Sequence, residues 1–101
     1  MMLRELAHAR AGDKGDTLIV AVICHAARDY PRVAAEVTVE RVRAHFAGIA
    51  QGSITRREAP GLCALVFVLE RALTGGVSTS LSTDPHGKSF SALMLSLPIS
   101  E

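Results

Sequence analysis

The sequence predicts a single α+β domain, and three observations support that prediction. The chain has 101 residues, which is the usual size of one domain. Hydrophobic residues make up 49% of it, so it can bury a core. Two continuously apolar, β-branched segments, 17–24 and 62–69, are separated by a segment with helical periodicity. We therefore expect one domain over residues 1–101 with two central strands.

The first half of the chain predicts two strands followed by helix. Residues 3–9 are expected to form an additional N-terminal strand. Residues 17–24 have the uninterrupted apolar pattern of a strand that is covered on both faces. Pro31 suits the first turn of a short helix that continues over Arg32 to Glu36, because its fixed φ is already helical.

A second helix is predicted to begin after Thr38. Its hydroxyl can cap the first turn, and Glu40 lies where the positive end of the helix dipole favours an acid. Val42 and Phe46 continue one apolar stripe at helical spacing. Gly48 suits the left-handed position that ends a helix.

The second half predicts an edge strand, a central strand, a long loop, a short helix and a last strand. Residues 53–58 are polar and charged, as edge strands often are, and Pro60-Gly61 forms a turn into the strand over 62–69. Residues 74–88 are small, polar and Gly-rich, which indicates a loop. Ser89 is expected to cap a helix to Met94, and residues 95–99 to form the last strand. This βαββαβ-type order, with the additional N-terminal strand, is that of a ferredoxin-like sandwich.

Composition excludes several classes of partner. Eleven basic residues against ten acidic ones give a net charge of +1, which removes the electrostatic argument for nucleic acid or an anionic membrane surface. The longest apolar run, residues 18–24, is far shorter than the roughly 20 residues that span a bilayer. The first residues lack the apolar stretch of a secretory signal, so we expect a cytoplasmic protein.

The two cysteines are expected to be buried, reduced thiols rather than a disulfide or metal pair.

Both lysines of the chain lie in Gly-rich segments, 12–16 and 74–88, together with three of its four aspartates. Glycines allow several N–H groups to turn toward one point, which is how backbone nests bind anions. If the two segments converge, they form a candidate ligand site. Its members are Asp13, Lys14, Gly15, Asp16, Gly75, Gly76, Ser80, Asp84 and Lys88.

Three aspartates and two lysines leave this cluster with a charge of minus one, so it is no strong phosphate site. We rank a mutually paired Asp–Lys network first, an anion second and a metal third, and we expect neither a metal nor a cofactor. The plainer alternative is that these residues only make turns and caps.

Ala9 to Thr17, followed by Leu73 to Val77, Ser80-Leu81, Asp84 and Gly87-Lys88, resembles the AtuA-like domain. The resemblance covers nearly the whole chain in matching order. It implies a ferredoxin-like fold, and it implies a module that is C-terminal in larger proteins of acyclic terpene utilisation, a pathway through acyl-CoA intermediates. This chain resembles the detached small partner of those proteins. It departs from the family pattern at Ile19 and Val66, where the family usually has asparagine.

These observations lead to three functional hypotheses. The first is a small binding or accessory subunit, joined to copies of itself or to a separate large AtuA-like subunit, whose loops hold an organic acid or acyl-CoA. The second is a small enzyme acting on such a compound, in which Lys14 and Lys88 stabilise a developing anion and Asp13 or Asp16 is the base. The third is a purely structural oligomerisation module.

Overall fold

A computed structural model of the chain describes residues 1–72 and 88–100, without the side chains of Lys88 and Ser89. Its strands are β1 (Ala7–Lys14), β2 (Thr17–Cys24), β3 (Ile54–Ala59) and β4 (Ala64–Leu69), and its helices are α1 (Tyr30–Glu36), α2 (Val39–His45) and α3 (Lys88–Leu95). Short 3-10 turns cover Leu3–Glu5, Ala27–Asp29 and Pro60–Leu62. No helix in these described ranges is long and apolar enough to cross a membrane.

The four strands form one antiparallel sheet in the order β1-β2-β4-β3. The two apolar strands therefore occupy the centre, as their composition predicts. β4 lies between β2 and β3, which are joined through α1 and α2, and this is the arrangement of a ferredoxin-like fold. The predicted fold class is confirmed, and the additional N-terminal strand pairs with β2 at the edge of the sheet.

A single core lies between one face of the sheet and the helices. On this core face Leu18, Val20 and Val22 lie opposite Leu69, Phe67 and Leu65, and all six are buried. The buried residues of the helices, Val33, Val37, Val42, Phe46, Phe90 and Met94, belong to the same cluster. All three helices thus cover the same side of the sheet.

α1 and α2 begin and end close to where the sequence indicates. The Thr38 hydroxyl accepts a hydrogen bond from the Arg41 backbone N–H at 3.2 Å and caps α2. Gly48 has a φ of +87°, the left-handed conformation expected after the helix. Arg56 of β3 donates to the carbonyl oxygens of Ala34 and Val37, at 2.6 and 3.0 Å, and so ties the end of α1 to the sheet.

The predictions for the two ends of the chain need correction. Leu3 and Leu6 are both buried because the chain makes a 3-10 turn at their spacing, and the first strand starts only at Ala7. Residues 95–99 do not form a strand: α3 runs to Leu95, and beyond it Pro98 makes one isolated bridge with Met2. Pro98 has no N–H to continue a ladder.

Two boundaries also differ from prediction. α3 begins at Lys88, so Ser89 lies inside the helix rather than at its cap. The second central strand begins at Ala64 instead of Leu62, because Pro60 and Gly61 form a 3-10 turn with Leu62. Cys63, with a φ of +52°, turns the chain from this helix into β4.

Candidate functional site

The early Gly-rich segment is a tight hairpin and not the loop that its composition predicts. Lys14 pairs with Thr17, which leaves Gly15 and Asp16 as a two-residue turn. Gly15 has a φ of +65°, and Asp16 is not among the residues with positive φ. This is the arrangement of a type II′ turn, which needs glycine first and matches the twist of the strands on either side. Residues 12–14 are therefore strand, because such a short turn requires paired arms.

The hairpin separates two of the predicted site residues. Successive side chains of a strand point to opposite faces, so Asp13 lies on the core side opposite Leu18 while Lys14 lies on the other face opposite Thr17. Within residues 1–72 and 88–100, no ion pair joins Lys14 to Asp13 or Asp16. Asp13 and Lys14 therefore cannot serve one ligand from the same face of β1.

The late Gly-rich segment falls mostly outside the described residues. This applies to Gly75, Gly76, Ser80 and Asp84, and Lys88 is described only as the first backbone position of α3. Ala72, the last residue described before this segment, donates its N–H to the Asp16 carbonyl at 3.0 Å. The convergence of the two Gly-rich segments stays a prediction. The hydrogen bond between Ala72 and Asp16 places the start of the late segment near the hairpin turn.

The face of the sheet turned away from the helices, here called the open face, has an apolar centre. Ile19, Ala21 and Ile23 of β2 lie there beside Val66 and Val68 of β4. Ile19 is 37% exposed and the other four are half-buried. In the part of the chain that the structure describes, β2 is covered on the core face alone, so cover on its second face stays a prediction. Because all the helices lie on the core side, nothing described in the fold buries these five side chains.

Positively charged side chains flank this apolar centre on both edges of the open face. Arg10 and Lys14 project from β1, and Arg57 projects from β3 opposite Val66. All three are exposed. Among the strand residues of this face none is acidic. The open face is thus an apolar strip between two cationic edges, although the net charge of the chain is only +1.

Two histidines lie at one end of the open face. The rings of His8 and His25 are stacked, with centroids 5.6 Å apart and an angle of 23° between their planes. His8, Arg10 and Lys14 occupy alternate positions of β1 and so share one face. The composition of residues 8–14 does not show this row, but His8, Arg10 and Lys14 all lie at even positions, which is the period of two expected of one face of a strand.

Comparison with protein-family models gives one finding for this chain. The model of the AtuA ferredoxin-like domain matches residues 1–100, nearly its whole length. The comparisons with curated proteins and with solved structures gave no match.

Proposed function

Because the chain belongs to the AtuA ferredoxin-like domain family, we propose that it is a small binding or accessory subunit that docks on a larger protein. The open face of the sheet is the docking surface. The observation that carries this proposal is the apolar strip of five side chains left uncovered by the helices, with Ile19 37% exposed.

The composition of the open face supports binding over mere exposure to solvent. One-sided antiparallel sheets normally place polar residues on the solvent face. Here two central strands place isoleucine, alanine and valine there. Burying apolar surface contributes about 25 cal/mol per Å², and contiguous exposed apolar patches rimmed by polar residues mark interaction sites.

Two positions of this strip bear on the resemblance to the family. The resemblance implies asparagine at the positions of Ile19 and Val66, and both residues lie on the open face, on adjacent strands. Their side chains have no hydrogen-bonding groups, so they favour an apolar contact. The departures from the family pattern thus fall on the surface that we assign to docking, which supports a binding role over inherited catalysis.

The charges of the open face indicate which partner fits it. Two copies related by a twofold axis and stacked through this face would bring one cationic edge against another, because both edges carry arginine or lysine. Like charges at a contact oppose association. The face therefore fits a larger subunit whose own surface has an apolar strip bordered by carboxylates. Homo-oligomerisation remains a proposal for other surfaces.

Binding can be tested with the N-terminal region of a full-length protein of the family, measured by titration calorimetry. Ile19→Asp and Val66→Asp place a carboxylate in the apolar strip and should each weaken binding about tenfold or more. Leu62→Asp is the matched control, because Leu62 is 74% exposed but lies in the 3-10 turn outside the strands. Absence of binding by the unaltered chain, or equal affinities for all three variants, would contradict the proposal.

An anionic ligand is a second candidate, favoured by the row of His8, Arg10 and Lys14 beside the apolar strip. An organic acid or acyl-CoA combines a negative group with an apolar chain and matches both features, in keeping with a role in terpenoid or acyl-CoA catabolism. In a titration with acyl-CoA, Arg10→Ala and Lys14→Ala should reduce the affinity, whereas the exposed Arg28, outside the sheet, is the control position. An affinity that neither substitution changes would exclude this row as the binding site.

A further inference from the structure

The two cysteines lie directly opposite each other where the β2–β4 ladder ends. The last regular pair of that ladder is Ile23 with Ala64. One position further, the N–H of Cys24 donates to the carbonyl oxygen of Cys63 at 2.9 Å. The chain therefore brings together two thiols that are 39 positions apart in the sequence.

The spacing of this pair suits a disulfide. The Cys24 N–H donates to the Cys63 carbonyl oxygen, whereas the Cys63 N–H donates to the Pro60 carbonyl oxygen at 3.1 Å, so the pair shares one hydrogen bond. Opposed residues of antiparallel strands have Cα atoms about 4.5 to 5.5 Å apart, within the roughly 4.4–6.8 Å that disulfides span. Cys24 is buried on the core side, and Cys63, half-buried, packs against the same core cluster. Cβ atoms must come closer than in a regular ladder. Because Cys63 has already left strand geometry, that approach moves the 3-10 turn and not the sheet.

The surroundings of the thiols are poorly solvated. Burial raises the pKa of the Cys24 thiol, and the neighbouring charge of Cys63 raises it further. The Tyr30 hydroxyl is buried there with no hydrogen-bond partner in the described part of the chain. Burial is the largest cause of the raised pKa of Tyr30, and the charges of Glu58 and of both cysteines raise this pKa further. The reduced Cys24 is therefore an uncharged thiol at neutral pH, and the first attack on an oxidant falls to Cys63, the more exposed of the two cysteines.

We propose that Cys24 and Cys63 form a dithiol site that closes reversibly to a disulfide. With hydrogen peroxide as oxidant, the more exposed Cys63 loses its thiol proton, and the thiolate attacks one peroxide oxygen and breaks the O–O bond. This gives a sulfenic acid and a hydroxide, which takes up the released proton and leaves as water. The Cys24 sulfur then attacks the Cys63 sulfur, the S–O bond breaks, and a second water leaves. Overall, two thiols and one hydrogen peroxide give one disulfide and two waters, and a thiol reductant reverses the change.

Closure would join the two central strands covalently and enclose α1, α2 and β3 in one loop of the chain. Cross-linking reduces the conformational freedom of the unfolded chain, so the oxidised protein should melt at a higher temperature. Since the thiolate reacts and burial raises the pKa of Cys24, closure should be faster at alkaline pH.

The experiment treats the purified, reduced chain with hydrogen peroxide and follows it by intact mass and peptide mapping. We expect the loss of two hydrogen atoms per chain, one peptide linking Cys24 to Cys63, and a melting temperature that rises and returns with dithiothreitol. Cys24→Ala should instead leave a sulfenic acid on Cys63 that dimedone traps. Cys63→Ala should remain largely unmodified, because Cys24 is buried.

Two results would overturn the proposal. They are a dimedone adduct on the unaltered chain without loss of two hydrogens, or disulfides only between chains on a non-reducing gel. The mass and peptide map of the unaltered chain decide the matter even if neither variant folds.

Discussion

Among the glycines that the structure describes, Gly52 is the one whose missing side chain matters most to packing. Its N–H donates to the carbonyl oxygen of Glu70 at 2.9 Å. A Cβ at this position would lie 2.5 Å from that oxygen and 2.9 Å from its carbon, both of which are backbone atoms that cannot rotate away. The contact therefore brings two backbones closer than any side chain allows.

Gly52→Ala should lower the free energy of unfolding by about 1–3 kcal/mol, because the segment before β3 must move away from the end of β4. Gly12→Ala is the control, since a Cβ there meets no atom within 4 Å; it should be neutral or stabilise the fold by about 0.5 kcal/mol. Urea unfolding of the two variants measures the difference. Equal stabilities would show that the close approach does not constrain the fold.

At the residue level, local signals proved the most reliable part of the sequence. Thr38 as a cap and Gly48 at a left-handed position follow from the chemistry of one residue and its near neighbours. Gly52 could not be singled out, because its role depends on Glu70, which approaches only when β3 and β4 pair. The same applies to Cys24 and Cys63, which the sequence shows only as two separate small apolar residues.

At the scale of elements, Glu36 connects the end of α1 to α2 and to the last described residues. Its carboxylate accepts hydrogen bonds from the Ser100 N–H at 2.9 Å and the Ser100 hydroxyl at 2.6 Å, and it faces Arg32 and Arg41 at 3.9 and 3.5 Å. Arg41 also donates to the carbonyl oxygen of Pro98. The hydrogen bonds from Ser100, followed by the two arginines, lower the pKa of Glu36 below its usual value.

Because the pKa of Glu36 is lowered in the folded chain, part of the free energy of unfolding is lost when the pH falls. A carboxyl whose pKa is lower in the folded than in the unfolded state contributes stability above its unfolded pKa, and that contribution disappears as the pH falls through the folded pKa. Going from about pH 7 to about pH 3, the unaltered chain should therefore lose more stability than Glu36→Gln. Urea unfolding at both pH values tests this, with exposed Glu40→Gln as the control. Parallel losses in all three proteins would assign the acid sensitivity elsewhere.

The elements themselves were predictable to different degrees. β2, α2 and β3 follow from periodicity and capping within the segment. The strand over residues 12–14 was missed because glycine, aspartate and lysine are typical of loops, whereas its extended form depends on cross-strand pairing with β2. The last predicted strand failed for the opposite reason. Its alternating pattern is local, but β1 already occupies the sheet position beside β2.

At the scale of the whole molecule, both faces of the sheet carry apolar side chains, but the described helices cover only one of these faces. One face of the sheet is buried by three helices, and the other combines apolar residues with cationic edges. An apolar run in the sequence predicts a strand covered on both faces, but it does not tell whether the second cover comes from this chain or from another molecule. The net charge likewise concealed the local excess of cations on the open face.

Salt should therefore have opposite effects on the two modes of association. Raising the ionic strength from about 0.05 M to about 0.5 M shortens the screening length, so binding to a carboxylate-bordered partner should weaken, while pairing of two open faces should strengthen. Calorimetry measures the first, and light scattering of the chain alone measures the second. Arg57→Gln should reduce both salt effects. Tighter partner binding at high salt would contradict the assigned partner chemistry.

The backbone near residue 1 runs beside the backbone near residue 99. The amino group of Met1 donates to the Ile99 carbonyl oxygen at 3.0 Å, and the Ile99 N–H donates back to the Met1 carbonyl oxygen at 2.8 Å. The Leu3 N–H donates to the Leu97 carbonyl oxygen at 2.9 Å. The chain therefore enters and leaves the domain at neighbouring points. A host polypeptide could carry this unit as a cassette inserted in a surface loop, with short connectors and no rearrangement of the interior.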